Sequence, residues 1–94
     1  MDAKKQLYYL LEHYNKENYT TDVFADEFSR IYDMELDYET LSEREHKLMK
    51  ELSEITGRFS PFEDDLNIPN VYFSESYVRE SAERIYLELI KPGQ

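Results

Sequence analysis

Ser42-Glu43-Arg44-Glu45-His46-Lys47-Leu48-Met49-Lys50-Glu51-Leu52-Ser53-Glu54-Ile55-Thr56-Gly57 spells out a helix from cap to stop. Ser42 and Glu45 have capping-box spacing: the serine hydroxyl can accept from an amide of the first turn while the glutamate reaches back to the serine amide. Leu41 precedes them as a staple residue. Leu48, Met49, Leu52 and Ile55 then recur at helical spacing with Glu45, and Gly57 ends the run.

The same pattern repeats upstream. Phe24, Phe28, Ile31 and Tyr32 stand at i, i+4, i+7 and i+8, a core stripe for a second helix. The spacing opens this helix at Thr21, whose hydroxyl can accept from free first-turn amides, with Asp22 favourable at the positive end of the helix dipole. Asp33 to Tyr38 alternates acidic and apolar residues; with no pairing partner nearby it reads as a fraying helix end and a turn. Leu7, Leu10, Leu11 and Tyr14 give the first helix, from about residue 3 to Lys16, capped by Asp2 and ended over Asn15 to Asn18 with Asn18 as the left-handed stop.

Downstream, residues 58–74 lack helical period, and Pro61 and Pro69, with Asn67 and Asn70, exclude a regular helix through them. Connections of that length are more often functional than short ones. Ser74 caps a last helix to about Ile90, with Val78, Ala82, Ile85, Tyr86 and Leu89 as its buried stripe and Lys91-Pro92-Gly93 as its end. The expectation is one all-α domain over residues 1–94, a four-helix bundle with a long loop between helices 3 and 4.

Composition narrows the function classes. The 94 residues include 40% hydrophobic and 15% aromatic side chains, too apolar for a disordered acidic tail. Acids outnumber bases 21 to 11, for a formal charge of -10. That charge repels nucleic acid and anionic membrane and attracts a basic protein surface. With no cysteine there is neither a disulfide framework nor a thiolate metal site. No stretch approaches the roughly 20 apolar residues of a membrane span, and no apolar run of signal-peptide type follows Lys4 and Lys5. A cytoplasmic protein is expected.

The surplus of acid is concentrated. Residues 26–45 carry eight acids against two bases, and residues 62–76 carry four acids and no base. In the last helix Glu75 and Arg79, and Glu80 and Arg84, stand at i, i+4 with the acid first, so most of its charge is paired locally. Asp33, Glu35, Asp37 and Glu39, and likewise Glu63, Asp64 and Asp65, have no base among them. The second group is interleaved with Phe59, Phe62, Tyr72 and Phe73. Phe59 and Phe73 read as core anchors and Phe62 and Tyr72 as the more open rings. Contact area ringed by steering charge suits a protein-binding patch, so the expected partner-binding residues are Phe62, Glu63, Asp64, Asp65, Tyr72, Glu75, Asp33, Glu35, Asp37 and Glu39. The plain alternative is that these are solvated loops.

Enzymatic chemistry finds little support. His13 and His46 suit a helix surface, and two glycines hardly build a phosphate loop. A calcium loop begun at Asp33 fails, with Tyr38 where glycine belongs and Arg44 where the closing glutamate belongs. No enzyme activity, metal or cofactor is expected.

From Phe24 to Leu89 the chain resembles the colicin D immunity protein family. The likeness rests on Phe28 and Ile31 in the second helix, an acidic third helix, Arg58-Phe59-Ser60-Pro61, Asp64 and Tyr72, and a final amphipathic helix. The resemblance implies an inhibitor of a tRNA-cleaving toxin domain, presenting carboxylates where phosphates would lie in the basic active-site cleft. The family places a carboxylate just after the proline, where this chain has Phe62, so Glu63 or Asp64 would take that role; it also places an acid before the arginine, where this chain has Gly57. The expected partner is a basic toxin nuclease domain, with a monomer when free. The competing readings are an acidic adaptor that binds through an apolar groove, whose affinity would be indifferent to salt, and an acidic helical enzyme or metal carrier.

Overall fold

The computed structural model describes residues 2–60, 62 and 72–91. Pro61, Glu63, Asp64, Asp65, Asn67, Pro69, Asn70, Pro92 and Gly93, which figure in the sequence analysis, lie outside them. Four helices carry the described chain: α1 (Ala3–Asn15), α2 (Thr21–Met34), α3 (Glu43–Thr56) and α4 (Glu75–Leu89), with a 3-10 turn at Tyr38–Thr40. No strand occurs among the described residues. A lone backbone bridge joins Phe59 to Phe73, through Phe73 N to Arg58 O at 2.8 Å and Ser60 N to Phe73 O at 3.1 Å.

Each helix buries the stripe its sequence spells: Leu7, Leu11 and Tyr14, then Phe24, Phe28 and Ile31, then Met49, Leu52 and Ile55, then Val78, Ala82 and Ile85. Rings line the centre, Tyr14 stacking on Phe24 with centroids 4.1 Å apart and Phe24 leading to Phe28 at 5.7 Å. Burial of such side chains, at ~1.5–3 kcal/mol each, drives the assembly.

Contacts near the helix ends fix the directions. Lys4 and Tyr8 of α1 both meet Glu45 in the first turn of α3, so α1 and α3 run the same way. Thr21, opening α2, meets Glu75, opening α4, so those two also run together. Arg44 of α3 reaches Glu88 of α4, which makes neighbouring helices antiparallel. The bundle therefore has a lower end, holding the start of α1, the α2–α3 connection and the start of α3. Its upper end holds the α1–α2 connection, residues 57–60, Phe62 and the entry to α4.

The capping box forms as spelled, Glu45 N to Ser42 Oγ at 3.1 Å and Ser42 N to Glu45 Oε1 at 2.9 Å. Asp2 and Ser74 cap α1 and α4. Three local expectations are corrected. The cap of α2 is Thr20, which accepts from Val23 N, whereas Thr21 is buried inside the helix. The left-handed residue after α1 is Glu17, at φ 65°, and not Asn18. Glu17 N bonds to Tyr14 O and Asn18 N to His13 O, both at 2.9 Å, which places Glu17 where a Schellman cap reverses the chain. Arg84 pairs across to Glu51 of α3 and not with Glu80 on its own helix.

Candidate functional site

The described acidic positions fall at the two ends of the bundle. Asp33, Glu35, Asp37 and Glu39 lie at the lower end, in the last turn of α2 and the connection to α3. Phe62, Tyr72 and Glu75 lie at the upper end, separated from the first group by about 20 Å, the length of a 14-residue helix. Glu63, Asp64 and Asp65 are outside the described residues.

At the lower end the chain bends through local bonds. Asp37 accepts from Glu39 N at 3.0 Å, and Thr40 Oγ1 donates to Asp37 O at 2.7 Å. Tyr38 folds back, its hydroxyl donating to Tyr32 O at 3.0 Å and its ring 5.2 Å from that of Tyr32. Glu35 is engaged, sharing Arg30 with Glu27. Asp33 and Glu39 form no ion pair among the described residues, and beside Asp33 the side chain of Met34 is 81% exposed.

At the upper end Phe62 is 66% exposed and Tyr72 38%, whereas Phe59 and Phe73 are half-buried against the core, as the sequence suggests. Tyr77 adds a further open ring, stacked on Phe73 at 4.7 Å between centroids. Glu75 stays exposed but one of its oxygens is engaged: buried Thr21 donates to Oε2 at 2.7 Å, and Arg79 lies 3.4 Å from the same oxygen. Because the one hydroxyl proton of Thr21 goes to Glu75, the Tyr14 hydroxyl donates to Thr21 Oγ1, at 2.8 Å. The Arg79 guanidinium rests 4.9 Å from the centre of the Tyr14 ring and closes the circuit. Burial pushes the Tyr14 hydroxyl pKa up.

A third acidic feature joins the two ends. Asp22, Asp26 and Asp33 stand at i, i+4 and i+11 on α2, within about 40° of one another around the helix. All three are exposed and form no ion pair among the described residues. The acid-rich segment 26–45 hides this stripe, because Asp22 lies before it and Asp26 is counted in it with Arg30. An 11-residue spacing of acids on a helix already recognised is the signal that finds it. Of the eleven bases, Lys4, Lys16, Arg30, Arg44, Arg79, Arg84 and Lys91 each sit in an ion pair, whereas Lys5, Lys47, Lys50 and Arg58 form none among the described residues.

Lys4, Tyr8 and Glu45 form the best-tied polar group at the lower end, with Tyr8 Oη to Glu45 Oε2 at 2.6 Å and Lys4 Nζ to Glu45 Oε1 at 3.0 Å. Burial works to raise the Glu45 carboxyl, but the Ser42 amide, the Tyr8 hydroxyl and the Lys4 ammonium outweigh it and hold its pKa below the usual value. The Tyr8 hydroxyl is pushed well up, first by burial and then by its bond to Glu45. Among the described residues no helix is long and apolar enough to cross a membrane. No protein-family model, curated protein or solved structure matches the chain.

Proposed function

We propose that this chain is an immunity-type inhibitor that binds the basic active-site cleft of a toxin nuclease, a tRNA-cleaving one being the leading case, and excludes the nucleic acid. One observation carries the reading: seven of the eleven cations sit in internal ion pairs, while the exposed carboxylates of Asp22, Asp26 and Asp33 on the α2 stripe, and that of Glu39, form none among the described residues. A nuclease cleft is positive because it holds phosphates, and a rigid helix edge bearing successive carboxylates competes for the same charges. Open rings at the upper end, Phe62, Tyr72 and Tyr77, supply the apolar area that slows dissociation. The resemblance to the colicin D immunity family points the same way, and its Arg58-Phe59-Ser60 stretch leads to Phe62 at that end.

The test pairs the chain with a cationic nuclease domain encoded beside it and reads growth protection and association rate. Protection is expected with the native chain, together with an association rate that falls steeply with added salt. The triple variant Asp22→Lys, Asp26→Lys, Asp33→Lys is expected to associate at least about tenfold more slowly, since reversing three steering charges removes the attraction. Binding indifferent to both salt and charge reversal would refute the mimicry and favour an adaptor that uses apolar contacts.

A further inference from the structure

At the lower end an open cleft of ≈ 530 Å³ separates the first turns of α1 from the α2–α3 connection. Its volume lies within the range of sites that take a small molecule or a large side chain. The walls are mainly apolar: Ala3 and the ring of Tyr8 on one side, Leu36 on the other, with the methylene stems of Lys4 and Lys5 between them. Leu36 and Tyr8 also pack on the core, so the walls belong to the rigid part of the molecule. The charge around the opening is chiefly negative. Asp2 and Asp37 line it and Asp33 and Glu39 flank the same connection, against Lys5 as the lining cation without an ion pair among the described residues; Glu35, also on the lining, is held by Arg30. Of the two lysines, Lys4 is neutralised by Glu45 and also donates to Thr40 O at 3.3 Å.

We infer that this cleft is a socket for one apolar side chain of the partner, carried on a segment whose flanking residues are basic. The apolar walls select the anchor and the carboxylates around the opening select its flanks, the division of labour found where one buried side chain dominates an interface. This rests on the reading of a cationic partner and adds to it a position: the lower end, away from Phe62 and Tyr72. Polar ligands with no apolar part gain little here, since two of the polar groups on the lining residues, Tyr8 Oη and Lys4 Nζ, are already bonded to Glu45.

Three synthetic peptides test it on the isotope-labelled full chain by amide chemical-shift mapping: Lys-Lys-Phe-Lys-Lys, Lys-Lys-Gly-Lys-Lys and Glu-Glu-Phe-Glu-Glu. The phenylalanine-bearing basic peptide should move the amides of Ala3, Lys5, Leu36 and Thr40 and bind about tenfold tighter than its glycine counterpart, the effect of burying one ring. The acidic peptide should not bind. Thr40→Trp, an exposed position on the 3-10 turn, fills the opening and should abolish the preference for phenylalanine with the helical circular dichroism unchanged. Equal binding of both basic peptides, or shifts confined to the α2 stripe or to Phe62 and Tyr72, would overturn the socket and leave the cationic-partner reading standing. Binding of the acidic peptide at the cleft would overturn the basic flanks, and failure of all three peptides to bind would remove the socket and the reading together.

Discussion

Glu17 holds a left-handed backbone, at φ 65°, that its Cβ disfavours, and it does so because two backbone bonds close the end of α1 around it. Left-handed geometry costs a side-chain-bearing residue about 1–2 kcal/mol, a cost that glycine escapes. Glu17→Gly is therefore expected to stabilise the fold by about 1 kcal/mol, read as a higher urea midpoint with an unchanged slope. The sequence points to Asn18 instead, because asparagine tolerates this conformation better than glutamate does. What decides the matter is that the Asn18 side chain is engaged, 2.9 Å from the Nδ1 of His13, and the turn is set one residue earlier. Residue preference names a neighbourhood here; the tertiary partner names the position.

At the scale of helices, Thr21 matters more than its size suggests. It joins α1, α2 and α4 through Tyr14 and Glu75, from the buried side of α2. Thr21→Val keeps the shape but leaves the Tyr14 hydroxyl without its acceptor and Glu75 with only the longer bond from Arg79. A loss of about 1–3 kcal/mol is expected, measured by thermal or urea unfolding. Thr20→Ala removes only the exposed cap and should cost ~1 kcal/mol or less. The comparison of the two distinguishes a hub from a cap. Caps made by neighbours in sequence were legible: Ser42 with Glu45, Ser74, and Asp2 all stand as spelled. Between two adjacent threonines the choice was not, because Glu75 stands 54 residues from Thr21. Arg84 is misread for the same reason, since Glu51 outcompetes Glu80 only once α3 lies alongside α4. Of the candidate site, the openness of Phe62 and Tyr72 could be read from their place in a polar stretch, whereas the bond of Glu75 to Thr21 and the α2 stripe needed the helices in place.

For the molecule as a whole, stability should form a plateau bounded by two groups of protons. On the acid side, Glu45 has a folded pKa below its ordinary value, so its contribution is complete above about pH 4.3 and is lost as pH falls through the lower folded value. On the alkaline side Tyr8, Tyr14 and Tyr32 are all raised, chiefly by burial. Their contribution is complete below about pH 10 and is lost as pH rises towards the folded values. Melting temperatures measured from pH 3 to 12 should show both limbs, and Tyr8→Phe should weaken the alkaline one; a melting temperature that stays flat above about pH 10 would contradict the burial argument. The bridge between Phe59 and Phe73 has a wider consequence. Two backbone bonds hold the base of the intervening stretch shut, so the entropy of closing it is met by the scaffold and grows only slowly with added length. Residues between the bonded positions can thus be exchanged or lengthened as a cassette while the four helices stay as they are.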